Sequence, residues 1–239
     1  MYLLIDIGNT RIKWQYRDEV GVLESGAVVV EDFMELDFSP LTTVKKILIS
    51  NVNHKLVLEK VKRSVAHLSC PITEARTETN PYLINDYEDP KALGVDRWLA
   101  ALGAWRLYQK PLFIINAGTA ITVDLVDIDP HQKAHFKGGM ILPGVAISLA
   151  VLNNSTHLID SEVGRSLYPS LNTKDAVTTG IFKGIQGAVN LVCKEQPPTL
   201  PILLTGGDAQ LIYEQADPEW RARVVLESDL IYEGLLYFK

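Results

Sequence analysis

The chain has 239 residues, of which 47% are hydrophobic and 22% are charged, and its formal net charge is −6. This composition is typical of a globular protein with a buried core, built as one large domain or two ordinary ones. The negative charge and the lack of a basic block argue against nucleic acid as a partner. No apolar run has membrane-spanning length and the first residues lack a signal-peptide pattern, so we expect a soluble cytoplasmic protein without a membrane partner. Cys70 and Cys193 have no metal-ligand spacing and are expected to be free thiols.

The first predicted element is a buried strand that ends in a polar turn. Its apolar run is followed by Asp6, an oxygen ligand of the kind that Mg²⁺ prefers, and by Gly8, which lets a ligand approach the backbone. Asn9 and Thr10 supply hydrogen-bond donors, and Lys13 supplies positive charge. This combination suits a polyphosphate with its metal. The alternative is an ordinary hairpin turn, for which Gly-Asn is a common dipeptide.

The rest of the first half reads as strands followed by helices. Residues 22–30 predict the second and third strands of an antiparallel meander, and residues 46–52 predict a short buried strand. Apolar residues at helical spacing predict a helix over residues 56–68. This order indicates an α/β half that ends near residue 111.

A loop and a helix between residues 80 and 109 hold the second group of polar residues. The loop contains Tyr87, and the helix over residues 98–108 has one buried face. Asp96 and Arg97 therefore lie in the first turn of that helix, beside the loop. A catalytic carboxylate is one interpretation. The other is structural, with Asp96 favouring the helix dipole or capping it and Arg97 as its solvated neighbour.

The second half repeats the pattern of the first strand and its polar turn. An apolar strand at residues 113–115 meets Asn116, then a Gly-Thr turn at residues 118–119, and then another strand. A glycine-bounded turn at 138–144 precedes a helix over 145–152, and a second helix is predicted over 175–192. Residues 201–208 form a third strand-to-glycine turn ahead of a short helix from Ala209. These repeats indicate two similar halves with phosphate bound between their turns.

Several other site classes are disfavoured. The sequence has no Walker A motif and no Gly-x-Gly-x-x-Gly after a strand, which argues against P-loop and Rossmann sites. His131 and His135 are four residues apart, but in a stretch rich in Pro, Lys and Gly, so a metal pair is the weaker interpretation. No Cys/His or Ser/His arrangement indicates nucleophilic catalysis.

The strand-to-turn motifs at residues 6–10, 117–120 and 205–207 resemble the phosphate loops of the actin, sugar-kinase and Hsp70 superfamily. Within it, the chain resembles type III pantothenate kinase over nearly its whole length. The residues that carry this resemblance are Asp6, Gly8, Asn9, Thr10 and Lys13, then Gly94, Asp96 and Arg97, then Gly118, Thr119 and Ala120, then the Gly-Gly-x-Ile-x-Pro-Gly run at 138–144, and finally Asn172 and Thr173.

The resemblance implies an α/β fold of two ribonuclease-H-like, actin-like ATPase domains, residues 1–111 and 112–239, with a central cleft. It implies a homodimer that phosphorylates pantothenate to 4′-phosphopantothenate with ATP and Mg²⁺, the first step of coenzyme A biosynthesis. Such chemistry needs positioning and charge stabilisation more than covalent catalysis.

The resemblance also implies residue roles. Asp96 would accept the hydroxyl proton and Arg97 would hold the pantothenate carboxylate, while Asp6 would lie nearest Mg²⁺. The residues implied for ATP are Asp6, Ile7, Gly8, Asn9, Thr10, Arg11, Ile12, Lys13 and Thr119. Those implied for pantothenate are Tyr87, Gly94, Val95, Asp96, Arg97 and Thr173, the last with contact from the partner subunit as one arrangement.

One position departs from the family pattern. The family has an aspartate that binds K⁺ or NH₄⁺ where this chain has Asn116, which weakens the expected monovalent cation site. Two other functions stay open: another small-molecule kinase of the superfamily, acting on a sugar or an acyl group, and a non-catalytic nucleotide-binding transcriptional accessory protein.

Overall fold

The chain divides into two compact units. The structure, a computed structural model, describes residues 1–35, 37–41, 43–155 and 162–239. The first unit consists of Met1–Gln109, Ile128–Phe136 and Asp229–Lys239, and the second of Lys110–Asp127 and Lys137–Ser228. The division at Gln109 lies beside the predicted boundary at 111. Residues 128–136 and 229–239, however, belong to the first unit, whereas the sequence placed them in the second domain.

Eleven strands and seven α-helices are formed by the described residues. The strands are β1 (Tyr2–Ile7), β2 (Arg11–Arg17), β3 (Val22–Val29), β4 (Lys46–Asn51), β5 (Ile72–Glu74), β6 (Ile84–Asn85), β7 (Leu112–Ala117), β8 (Ala120–Ile128), β9 (Ala134–Pro143), β10 (Ile202–Thr205) and β11 (Val224–Leu226). The helices are α1 (Lys55–Ser64), α2 (Val95–Tyr108), α3 (Val145–Ser155), α4 (Thr173–Lys194), α5 (Ala209–Glu214), α6 (Pro218–Arg221) and α7 (Leu230–Leu235). No described helix is long and apolar enough to cross a membrane.

The first unit is built on a five-stranded sheet in the order β3-β2-β1-β4-β5. β1, β2 and β3 form the predicted antiparallel meander, and β1, β4 and β5 are parallel. The assignment of both the second and the third strand to residues 22–30 was wrong, because the second strand is Arg11–Arg17 and Val22–Val29 is the third strand alone. Because successive side chains of a strand point to opposite faces, one face of this sheet is apolar and packs on α1 through residues such as Ile5, Ile49 and Val61. The other face carries polar residues, which α2 and α7 cover.

Helices α2 and α7 cross at unusually short distance because each contributes a glycine to the contact. A Cβ on Gly103 would lie 1.9 Å from the carbonyl oxygen of Leu230, and one on Gly234 would lie 2.1 Å from that of Leu99. Any larger side chain at either position would push the helices apart. The same unit contains a short parallel pair between β6 and the start of β9, in which Ile84 pairs with His135 and Asn85 with Phe136.

The second unit contains the strands β11-β10-β7-β8-β9 in that order. β7, β10 and β11 are parallel, and β7 and β8 form an antiparallel pair. Its core is formed by buried apolar residues of these strands and of helices α3 to α6, among them Phe113, Ile202, Phe182 and Trp220. This arrangement brings the polar ends of β7 and β10 side by side.

Most predicted elements are confirmed with small changes of boundary. The helix predicted over 56–68 is α1 followed by a 3₁₀ turn at Ala66–Leu68, and the helix predicted over 98–108 begins three residues earlier, at Val95. The helix predicted over 175–192 is α4, with Asn172 as its N-cap. The pattern at 227–238 predicted no defined element, yet it forms α7 and a 3₁₀ turn.

Candidate active site

Asp6 is the centre of a polar row across the sheet of the first unit. It pairs with Lys13 on β2 and with Ser50 on β4, so the three side chains share one face. Its Oδ1 atom is buried and has no hydrogen-bond partner among the described residues. The pKa of Asp6 is raised to about 6, mainly by burial and to a smaller extent by the charge of Asp96. Ser50 and Lys13 act in the opposite direction.

The turn after β1 is held rigidly while its tip stays exposed. The Gly8 amide donates to the Arg11 carbonyl at 3.0 Å, and a Cβ on Gly8 would lie 3.0 Å from that oxygen. Asn53 Nδ2 donates to the carbonyls of Gly8 at 2.8 Å and of Asn9 at 3.3 Å. Asn9, Thr10 and Arg11 are exposed. Backbone and side-chain donors of a fixed, exposed turn can bind phosphate oxygens.

Asn53 is a site residue that sequence reasoning missed. It follows β4, and the Asn51 side chain forms the turn into α1 by bonding the Asn53 backbone twice: Asn51 Nδ2 donates to the Asn53 carbonyl, and Asn51 Oδ1 accepts the Asn53 amide. The sequence does show a run of polar residues directly after β4. Because β4 runs parallel to β1, these residues lie beside the end of β1. Without knowledge of the pairing, the partner of that run was not identifiable.

Asp96 lies in the first turn of α2, as the sequence predicted. The N-cap is Gly94, which makes no side-chain capping bond. Asp96 Oδ1 accepts the Arg97 amide at 2.8 Å, so part of the capping interpretation holds. Burial raises the pKa of Asp96, and the Arg97 backbone bond and charge counteract it. The charge of Asp96 is also one of the causes of the raised pKa of Asp6.

Arg97 is not a solvated neighbour, and that interpretation was wrong. It is only 4% exposed, its Nη1 donates to the Tyr87 hydroxyl at 3.0 Å, and its guanidinium carbon lies 5.6 Å from the centre of the Tyr87 ring. The Phe136 ring flanks it at 5.8 Å. Tyr87 and Arg97 are therefore brought together as predicted, and Phe136 is an unpredicted third member.

The loop that carries Tyr87 is anchored by a histidine rather than by a metal. His135 Nδ1 contacts Asp86 Oδ1 at 2.8 Å, and its Nε2 lies 3.4 Å from Asp129 Oδ2. No cluster of three or more potential metal ligands occurs in the part of the chain that the structure describes.

In the second unit, two glycine turns meet. The Gly118 amide donates to the Ala120 carbonyl at 3.1 Å, and Thr119 is exposed between them. Gly206 has φ +102°, and a Cβ there would lie 2.2 Å from the Ala117 carbonyl oxygen. The Asp208 amide donates to that oxygen at 2.9 Å. The glycine thus allows the turn after β10 to close over the end of β7.

Asn116 lies in a row of neutral oxygen-bearing side chains. It pairs with Thr205 on β10 and Thr122 on β8, and the Thr122 hydroxyl is buried without a hydrogen-bond partner among the described residues. Asp124, two residues further along β8 on the same face, is 1% exposed. Thr173 is the first residue of α4 and is exposed, and Asn172 accepts the Asp175 amide at 2.8 Å.

Comparison by family model and by single relatives points to the same protein family. The model of the type III pantothenate kinase family matches residues 2–195. A protein of Methylobacillus flagellatus named type III pantothenate kinase is 32% identical over 247 residues, covering 99% of this chain and 97% of the relative.

Solved structures agree on the fold. A Campylobacter jejuni protein named as a Baf family transcriptional activator has a TM-score of 0.62 and 25% identity, covering 98% of this chain and 96% of that one. A Sinorhizobium meliloti protein named as a 2-dehydro-3-deoxygalactonokinase has a TM-score of 0.59 and 10% identity, covering 99% and 97%. With two mixed α/β sheets, the chain has the fold of the actin-like ATPases and sugar kinases, which confirms the predicted fold class.

Proposed function

The chain belongs to the type III pantothenate kinase family, whose reaction is the ATP-dependent phosphorylation of pantothenate in coenzyme A biosynthesis, and we propose that Asp6 and Asp96 are central to its active site. The observation that supports this is the buried Oδ1 of Asp6, which has no hydrogen-bond partner among the described residues and lies beside an exposed turn, together with the effect of the Asp96 charge on the pKa of Asp6. Phosphoryl transfer to an alcohol uses a metal ligand and a catalytic base, the roles that these two carboxylates would fill.

Asp6 suits a divalent metal. Its Oδ1 lacks a hydrogen-bond partner, and its raised pKa means that the ionised form is poorly compensated by the protein alone. Mg²⁺ bound there would neutralise charge that develops on the transferred phosphoryl group. Residues 6–13, with Lys13 beside Asp6, would hold ATP phosphates.

Asp96 would take the proton from the primary hydroxyl of pantothenate. Burial raises its pKa, which makes the carboxylate a better proton acceptor, while the Arg97 amide fixes its orientation. Because the alcohol loses its proton as the new P–O bond forms, one positioned carboxylate is sufficient.

Arg97 and Tyr87 would hold the substrate carboxylate. The guanidinium is buried beside two aromatic rings and bonded to the Tyr87 hydroxyl, so its position is fixed before a ligand arrives. An arginine in this state binds a carboxylate at little entropic cost. Gly94 and Val95, which precede Asp96 on α2, would line the same region.

A monovalent cation and a second subunit complete the proposal. The Asn116 row offers K⁺ or NH₄⁺ neutral oxygens only, with Asp124 as the carboxylate on that face.

The second subunit would pack on the region around α3 and α4, where exposed apolar side chains accumulate: Ile147, Val151, Val163, Leu167, Tyr168 and Leu171. Thr173 at the start of α4 would then contact pantothenate from the partner subunit.

The test is pantothenate-dependent ATP consumption by the native protein and by Asp96→Asn, with hexoses and acetate as alternative acceptors. We expect turnover with pantothenate only, reduced by a factor of roughly 10²–10⁴ in Asp96→Asn, the usual contribution of a positioned base. Asp89→Asn, which alters an exposed carboxylate of the preceding loop, is the matched control and should retain native activity. Near-native kcat in Asp96→Asn would exclude Asp96 as the base.

The same assay addresses the rival function. A transcriptional accessory protein, the role that the name of the Campylobacter jejuni relative suggests, would bind ATP without pantothenate-dependent turnover. Turnover with a hexose or acetate instead of pantothenate would indicate another kinase of the superfamily.

A further inference from the structure

The polar side chains of β2 point to the face of the sheet that carries Asp6. Lys13, Gln15 and Arg17 alternate along this strand, and Gln15 and Arg17 are only 5% and 9% exposed. They are buried by the residues around α7: Gln15 Nε2 donates to Asp229 Oδ1 at 2.8 Å, and Arg17 Nη1 donates to Glu233 Oε1 at 2.8 Å. Gln15 and Arg17 are two residues apart on a strand, and their partners Asp229 and Glu233 are four residues apart on a helix; both steps span roughly 6–7 Å. The two bonds therefore place α7 alongside β2.

The same Glu233 carboxylate also holds α2. Its Oε2 accepts Arg106 Nε at 3.1 Å, while its Oε1 accepts Arg17. The Glu233 and Arg17 side chains are 15% and 11% exposed, so water screens their ion pair less than a surface pair. One carboxylate thus joins the strand that contains Lys13 to the helix whose first turn contains Asp96.

Other contacts prevent α7 from moving independently. The paired glycines, Gly103 and Gly234, fix its crossing with α2, and Lys46 Nζ donates to the Phe238 carbonyl at 2.9 Å. Tyr232 is buried on the same helix, and burial together with the charges of Asp6 and Asp229 raises the pKa of its hydroxyl. The helix therefore extends to the neighbourhood of Asp6.

We propose that Glu233 is a positioning residue of the active site, which fixes β2 and its Lys13 against α2 and its Asp96. The proposal rests on the roles assigned above to Lys13 and Asp96. It concerns a segment outside residues 2–195, the part that the family model matches. Phosphoryl transfer depends on the relative placement of base, phosphate and metal, and a displacement of about 1 Å can cost up to a hundredfold in rate.

The experiment compares Glu233→Gln with the native protein under conditions in which both are folded by circular dichroism. The substitution keeps the shape of the side chain and removes its charge. We expect kcat to fall roughly tenfold while the KM values for ATP and pantothenate change by less than about twofold, since positioning affects the transition state more than binding. A merely structural residue would lower the melting temperature and leave the kcat of the folded enzyme unchanged.

Glu59→Gln is the matched control, because it removes the Lys62–Glu59 pair at 3.5 Å on α1, the helix that packs on the opposite, apolar face of the same sheet. It should leave kcat unchanged. If Glu233→Gln does not fold, Arg106→Gln, which removes the more exposed partner, decides the question with the same kcat criterion. Native kcat in the folded variant, with Asp96→Asn inactive, would overturn the positioning role alone; an inactive native protein would instead overturn the proposed function.

Discussion

Asp6 is a residue at which function and stability oppose each other. Its pKa is about 6 in the folded protein against 3.8 for an unperturbed aspartate, so ionising it is penalised by the fold. A raised carboxyl pKa means that stability falls as the pH rises from about 4 to 6 and stays lowered above that range. The penalty at neutral pH is on the order of 3 kcal/mol.

We therefore predict that Asp6→Asn abolishes kinase activity but makes the metal-free protein more stable at pH 7, by on the order of 3 kcal/mol. The gain should disappear near pH 4, where the native Asp6 is itself protonated. Urea unfolding of both proteins without Mg²⁺, at several pH values, measures this difference. A gain that does not vary with pH would show that charge burial is not its cause.

Arg97 should act on substrate binding rather than on the chemical step. Loss of a charge-assisted carboxylate contact costs about 1.5–3 kcal/mol, so Arg97→Ala should raise the KM for pantothenate roughly tenfold or more. The KM for ATP should barely change. Pantothenamides lack the carboxylate and serve as the control: if they are affected as strongly as pantothenate, Arg97 does not bind that group.

Asn116 is the position at which the chain leaves its family's pattern. An aspartate would offer a cation a full charge, worth roughly 4 kcal/mol at 4 Å and an effective dielectric near 20, before the cost of dehydration. We predict that activity rises with K⁺ or NH₄⁺ but saturates only at high concentration, and that Asn116→Asp lowers the saturation point. The measurement is activity against KCl at constant ionic strength. A flat native response would show that no cation site operates, and an unshifted curve in Asn116→Asp that this residue does not control it.

Residue-level prediction succeeded where the evidence was local. The turn after β1 and the Asp96-Arg97 pair are short motifs, and both occupy the predicted elements. Asn53 and Phe136 were missed because each reaches its site through a strand pairing with a distant part of the chain. A single sequence does not specify which strands become neighbours.

At the level of elements, the strand-to-glycine turn after β10 depends on one backbone conformation. Gly206→Ala places a Cβ at φ +102° and 2.2 Å from a carbonyl oxygen, so we expect a loss of about 1–3 kcal/mol in stability and a severalfold higher KM for ATP. Gly207→Ala is the control, because a Cβ there has nothing within 4 Å. Thermal unfolding and ATP titrations should separate the two variants; equal behaviour would contradict the argument.

The helix α7 is one of the short elements that sequence analysis did not identify, together with α6 and β11. With six residues it is too short for a helical period to emerge, and its propensity alone would not form a stable helix. Its polar residues also meet polar partners on β2 rather than solvent, so its pattern does not resemble that of an ordinary amphipathic helix. Long helices such as α2 and α4 were predictable because many residues repeat the same period.

At the level of the whole molecule, we predict a homodimer whose active site requires both subunits. Two weakened variants, Asp96→Asn and Thr173→Ala, provide the test. If Thr173 acts from the partner subunit, mixing and exchanging subunits creates one intact site in each mixed dimer and restores about a quarter of native activity. Light scattering that shows an active monomer, or a mixture without recovery, would contradict the prediction.

The return of residues 229–239 to the first unit has a consequence for synthesis. The phosphate turn, α2 and all residues of the second unit precede Glu233 and Gly234 in the chain, so they are synthesised first. The second unit is contained in residues 110–228 and needs nothing from α7 for its core. The first unit instead keeps part of the polar face of its sheet uncovered until α7 is added. Chains truncated before Asp229 should therefore expose that part of the face, and their first unit should be cleaved by proteases faster than that of the full chain, while the second unit should be equally resistant in both.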